Sequence, residues 1–203
     1  MLQGYAVEFS RKRVLIYAAM SGCNTALIYV FAAVAPFVGI QILGASPDHY
    51  GVLTLIPAIG FILGTIFSVR AAHRVAPEQL IVYGTVILSL GIVLVAIVWL
   101  FHLLTLWTLF LPMIIVFGGG TIVFATVPSL SVSDSTHKSN ASSVFSFISM
   151  GVGTVGVLLV SLLNFNLLIE LPAIFLGVMG MIWFLLWQSQ RLQSKHNLVS
   201  VVK

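Results

Sequence analysis

Charge is scarce in this chain. Of its 203 residues only 7% are Asp, Glu, Lys or Arg, against about 25% in an ordinary soluble domain. Too few charges remain to cover a globule in water. With 60% hydrophobic residues and a mean hydropathy of +1.14, the solvent for much of the surface is lipid. Cysteine is nearly absent as well. Cys23 is the only one, so an intrachain disulfide and a cysteine metal site are both excluded. Carboxylates are missing from the middle of every apolar run: Glu8, Asp48, Glu78, Asp134 and Glu170 all fall in loops or near helix ends. No His-Glu-x-x-His, mid-span carboxylate pair or cysteine pair is present. "GASP" at 44–47 superficially looks like a serine-protease motif, but Pro47 and its loop position argue against that. Membrane catalysis needs buried polar groups, so we expect no enzymatic activity, no metal and no cofactor. The net charge of +4 contains no cluster larger than Arg11–Lys12–Arg13, which argues against a nucleic-acid partner.

Long apolar runs are what the chain does have. A spanning helix needs roughly 20 apolar residues, and lipid tolerates no unpaired backbone. Six runs qualify: Val14–Ile40, Gly51–Val69, Leu80–Phe101, Leu103–Pro128, Ala141–Leu163 and Leu167–Trp187. The expected fold is therefore an all-α membrane protein with six transmembrane helices. Residues 1–13 form an N-terminal segment, 14–187 the bundle and 188–203 a tail. His102 marks a tight reversal between the third and fourth spans. The first run is too long for the core of a cleavable signal, about 7–15 residues, and is expected to be retained.

Cations set the orientation. Arg11, Lys12, Arg13, Arg70, Arg74, Lys138, Arg191, Lys195 and Lys203 fall in the tails and the even-numbered gaps, and none falls in the odd-numbered gaps. The positive-inside rule then places both termini in the cytoplasm.

Small residues form stripes within the greasy runs. Ser142, Ser146, Ser149, Gly153, Gly156 and Val160 recur at steps of 4, 3, 4, 3 and 4, which brings them to one helix face. Gly60 and Gly64 repeat the device in the second span, and Gly118–Gly120 in the fourth. Helices in lipid associate through such close backbone contacts, so these are read as packing seams, static or mobile. The first span carries Tyr17, Ser21, Asn24, Ile28 and Phe31 on one face. A buried amide in hydrocarbon needs a partner helix or a watery cavity. Tyr17, Ser21, Asn24, Thr25, Tyr29 and Phe31 are accordingly candidates to line a cavity for a greasy, weakly polar ligand. A plain interhelical hydrogen bond is the alternative.

Three strings in order, "YAAMSGCNTALIYVFAAVAPFV" (17–38), "SPDHYG" (46–51) and "SNASSVFSFISMGVGTVG" (139–156), resemble the carboxyl-terminal half of a major facilitator superfamily transporter. The resemblance is to the bicyclomycin-resistance (Bcr/CflA) type of drug:proton antiporter. It rests on Pro36–Val38, on Ser46–Gly51, and on Ala141–Ser143 with Gly151, Gly153 and Gly156. Arg70 and Arg74 in "GTIFSVRAAHRV" sit where that family has a cytoplasmic glycine-plus-basic motif, though its acidic and second glycine positions are missing. They serve there as a gate or simply as topology signals. Gly22-x-x-Thr25 before Pro36 echoes Gly118-x-x-Thr121 before Pro128, as a three-helix inverted repeat would.

The resemblance implies one half-bundle of a multidrug exporter in the bacterial cytoplasmic membrane. Its partners would be a small hydrophobic or amphipathic substrate, a proton, the lipid bilayer and a complementary six-helix amino-terminal half that carries the proton-binding carboxylate. The competing expectations are a self-associating six-helix membrane protein without transport of its own, or a facilitator for another solute.

Overall fold

The computed structural model describes residues 8–133, 135, 137–162 and 167–201, with side chains described at 8–133, 135, 137–159 and 171–192. Asp134, Lys203, the expected loop at 164–166 and the side chains of Val160, Glu170 and Lys195 lie outside them. The chain forms α1 (Lys12–Pro36), a π-helical turn (Phe37–Ile42), α2 (Pro47–Leu53), α3 (Leu55–Ala72), α4 (Pro77–Leu100), α5 (Leu106–Val132), α6 (Lys138–Leu162) and α7 (Leu167–Val201). Six of these stretches are long and apolar enough to cross a membrane: Lys12–Ile42, Pro47–Ala72, Pro77–Leu100, Leu106–Val132, Lys138–Leu159 and Leu171–Leu192. The chain is an all-helical membrane protein.

Local chemistry sets the helix ends. Ser46 Oγ accepts from the His49 amide at 3.3 Å, and Pro47 opens α2; a proline costs nothing there, because the first-turn amides have no helical partner. Thr105 and Thr108 cap α5 reciprocally, each side chain accepting from the other's backbone amide, at 3.2 and 2.7 Å. His102, at φ 54°, supplies the left-handed residue of the reversal before it. The second span is not the single helix expected from its composition. It breaks between Leu53 and Leu55, because Pro57 has no N–H to offer the Leu53 carbonyl and its ring crowds that oxygen. Pro36 likewise precedes the π-turn, whose Leu43 amide reaches back five residues to the Val38 carbonyl at 3.0 Å.

The helices pair in a crossed order. The first span packs chiefly on the fifth and sixth, and the fourth packs on the second and third. The first also meets the fourth, and the third meets the sixth. Exchanging spans one to three with spans four to six leaves this pattern unchanged. The helix α1–α6 contact maps onto α5–α3, α1–α7 maps onto α5–α4, and the other two map onto themselves.

Helix α5 is the hub, and its three consecutive glycines show why. Successive helix residues point about 100° apart, so each glycine addresses a different neighbour. A methyl on Gly119 would strike the Leu88 amide of α4, one on Gly120 would strike Asn24 of α1, and Gly118 faces Gly60 and Gly64 of α3. Backbones approach here to distances that a Cβ forbids, which is how helices gain contact without a hydrophobic drive.

Candidate functional site at the central helix crossing

Helices α1 and α5 cross near the middle of both, and the crossing carries two deeply buried polar side chains, Ser21 and Asn24. Asn24 Nδ2 donates to the Gly120 carbonyl at 3.1 Å. One turn earlier, Ser149 Oγ of α6 donates to Ser21 Oγ at 3.1 Å. Ser21 and Asn24 are 0% and 2% exposed. Tyr17 and Phe31 continue the same face into the core. Arg13 stands over the Tyr17 ring at 5.9 Å. Phe31 meets Phe110 and Phe117 edge-on, with centroids 6.0 and 5.7 Å apart, and Tyr50 and Phe61 extend the cluster into the second span.

The face from Tyr17 to Phe31 is thus closed by α5 and α6 and, at Tyr17, by Ser189 of α7. It is a packing seam, and the interhelical hydrogen bond is the form its amide takes. Two of the expected cavity residues lie elsewhere. Thr25 is half-buried and donates to the Ser21 carbonyl at 3.0 Å, while Tyr29 is exposed. Thr25, Tyr29, Ala32 and Ala33 form an open flank of α1.

The glycine echo read from the sequence has a structural counterpart. Gly22 and Gly118 stand 96 positions apart, as do Thr25 and Thr121, and the Asn24–Gly120 bond spans the same 96. Gly22 lies against α6, where a methyl would stand 2.6 Å from Val152 Cβ and 2.8 Å from the Ser149 carbonyl oxygen. Gly118 lies against α3 more loosely, where a methyl would stand 3.4 Å from the Gly60 carbonyl oxygen. Thr121 donates to the Phe117 carbonyl as Thr25 does to that of Ser21. Phe124 and Ala125 are exposed on α5 just as Tyr29 is on α1. Asn24 and Gly120 are therefore joined across the crossing at the same separation of 96 that relates the two glycine–threonine strings.

The stripe on α6 is divided. Ser149, Gly153 and Gly156 meet α1, the last two against Thr25 and Ala26. Ser142 and Ser146 are exposed, because the buried face is turned toward Ala141, Phe145, Ile148 and Val152. The larger apolar residues take the contact, and the stripe forms its edge. Gly60 and Gly64 do act as a seam, lying directly on the α5 backbone at Ile114 and Gly118. Arg70 ends α3 and Arg74 lies in the following turn, both exposed.

One cluster escaped the sequence reading. Glu8, assigned to a terminal segment, is 2% exposed. Its Oε2 accepts from Ser135 Oγ at 3.0 Å and pairs with Arg11 Nε at 3.3 Å. The separation of 127 positions between Glu8 and Ser135 left no local pattern by which to find it.

Comparison with family models, with curated proteins and with solved structures finds no match in any of the three.

Proposed function

We propose that this chain is one six-helix bundle, the carboxyl-terminal half, of a proton-coupled exporter of small hydrophobic or amphipathic molecules. It would sit in a bacterial cytoplasmic membrane with both ends inside. The observation that carries this reading is the crossed pairing of two three-helix units, joined at the Asn24–Gly120 contact. Three-plus-three inverted repeats nested in a six-helix half are the build of major facilitator transporters. The open flanks beside Tyr29 on α1 and Phe124 on α5 are the surfaces such a half turns toward its complement. The substrate site then forms between the two halves, in keeping with the closed packing around Asn24. Alternating access is rocking of one half against the other, and one bundle has nothing to rock against. With no carboxylate mid-span, the proton-binding group belongs to the complement.

Co-expression tests the reading. Vesicles holding this chain with a six-helix amino-terminal half are expected to expel a fluorescent amphiphilic cation when a proton gradient is imposed. Vesicles holding this chain alone are expected to do so no faster than empty ones. Gradient-driven efflux by the isolated chain would rule the half-transporter out. The exposed Ser142–Ser146 edge of α6 also suits the second reading, self-association, and a transport-competent homodimer trapped by cross-linking would favour it.

Orientation has its own test. Cys23 is buried, so an impermeant maleimide reports on an introduced thiol. Asp48→Cys is expected to label from outside intact cells and His73→Cys only after the cytoplasmic face is opened. The reverse pattern would invert the topology.

A further inference from the structure

We infer that the cleft at the basic end of α3 is a binding site for an anionic phospholipid. Independently of the transporter reading, the bundle has an open cleft of about 1090 Å³ on its flank between α3, α4 and α5. Its walls are hydrocarbon: Leu63, Ile66 and Phe67 from α3, Ile87 from α4, Ile115 and Ile122 from α5. At one end this lining gives way to Arg70, His73 and Arg74.

Length selects the occupant. From Leu63 to Ala72, where α3 ends, the wall rises about 14 Å, at about 1.5 Å per residue. That is nearly half of a hydrocarbon core of about 30 Å, the depth of a single leaflet. A transmembrane helix of another protein would need a seat of twice that length. An acyl chain with its headgroup at the membrane surface matches both the length and the polarity gradient. The lining residues from Leu63 to Phe67 carry no side-chain hydrogen-bonding group. Nothing along the cleft asks for a polar ligand until the guanidinium groups are reached.

Charge selects the headgroup. Arg70 and Arg74 are exposed, and no described carboxylate pairs with either. Two guanidinium groups a turn apart are donors for a phosphodiester, and basic pockets between transmembrane helices hold anionic lipids for this reason. A topology signal alone needs the positive charge but no cleft.

The test uses the full chain in detergent, titrated with dioleoyl phosphatidylglycerol or dioleoyl phosphatidylcholine and read by native mass spectrometry. The glycerol lipid is expected to bind more tightly. Arg70→Gln with Arg74→Gln should weaken it about thirty-fold, at roughly fivefold per cation, and weaken the choline lipid, whose phosphodiester is neutralised by its own cation, far less. Leu63→Trp, which fills the wall from a lipid-exposed position, should weaken both lipids while far-UV circular dichroism stays unaltered. Lys138→Gln, a cation removed from the cleft, should change nothing. Equal loss with Lys138→Gln and the double arginine variant would overturn the site, since charge in general would then suffice. Displacement of the lipid by millimolar inorganic phosphate would overturn the acyl seat. Disulfide cross-linking of two chains through Ile115→Cys would show that a second copy fills the cleft instead.

Discussion

Gly64→Ile is expected to destabilise the bundle by about 3 kcal/mol or more, the upper end of what overpacking costs. A Cβ at Gly64 falls on the Gly118 carbonyl oxygen of α5, and Gly60 meets the Ile114 carbonyl one turn away. The obstacle is backbone, so no rotamer change relieves it, and α3 must lift off α5 along its length. Substitution from the other side is gentler: a methyl on Gly118 would stand 3.4 Å from the Gly60 carbonyl. Gly118→Ala should therefore cost well under half as much as Gly64→Ile. Gly151 has nothing within 4 Å of an added Cβ, and Gly151→Ile should stay within about 0.5 kcal/mol of the parent, as surface changes do. Equilibrium unfolding in mixed micelles, followed by circular dichroism, measures all three. Equal stabilities for Gly64→Ile and Gly151→Ile would mean that α3 and α5 do not touch in the folded protein.

The contrast between those two glycines marks the limit of sequence reading in a membrane chain. The six spans were legible because a bilayer demands length and apolarity at once. Their pairing was not. Leu55, Ile59, Ile62, Leu63 and Ile66 of α3 are all exposed, so hydrophobicity does not separate the lipid-facing side of a helix from its buried one. Small residues do carry that information, but Ser142 and Ser146 show that they mark an edge as readily as a centre. The break at Thr54 was missed although Pro57 stood in plain view, since a proline's effect depends on whether another group takes up the freed carbonyl. The Gly22/Gly118 echo was the most informative short pattern. The repeat it suggests sets the first span opposite the fourth, and the Asn24–Gly120 bond joins those two spans at the same separation of 96. The Glu8–Ser135 contact had no such counterpart, because it joins two loop-side residues that no periodicity relates.

Asn24 decides between a dry crossing and a watery one. Asn24→Leu removes the donor to Gly120 and is expected to cost about 0.6 kcal/mol, and no more than about 1.7, as interhelical hydrogen bonds in membranes do. Asn24→Asp keeps the shape but sets a carboxylate against the Gly120 carbonyl oxygen at mid-helix. An acidic side chain at a span's centre costs about 2.5–3.5 kcal/mol, so this variant should lose about 3 kcal/mol at neutral pH. A water-filled cavity at Asn24 would solvate the carboxylate and bring the aspartate variant level with the leucine one. Gly120→Ala completes the argument, because the atoms nearest its methyl would all belong to the Asn24 amide, with Oδ1 at a colliding distance. Combining Gly120→Ala with Asn24→Ala removes both the obstacle and the bond. The double variant should then be more stable than the sum of the two single losses predicts, which the same unfolding titration reads as a coupling energy. Strict additivity would mean that Asn24 and Gly120 do not meet where α1 crosses α5.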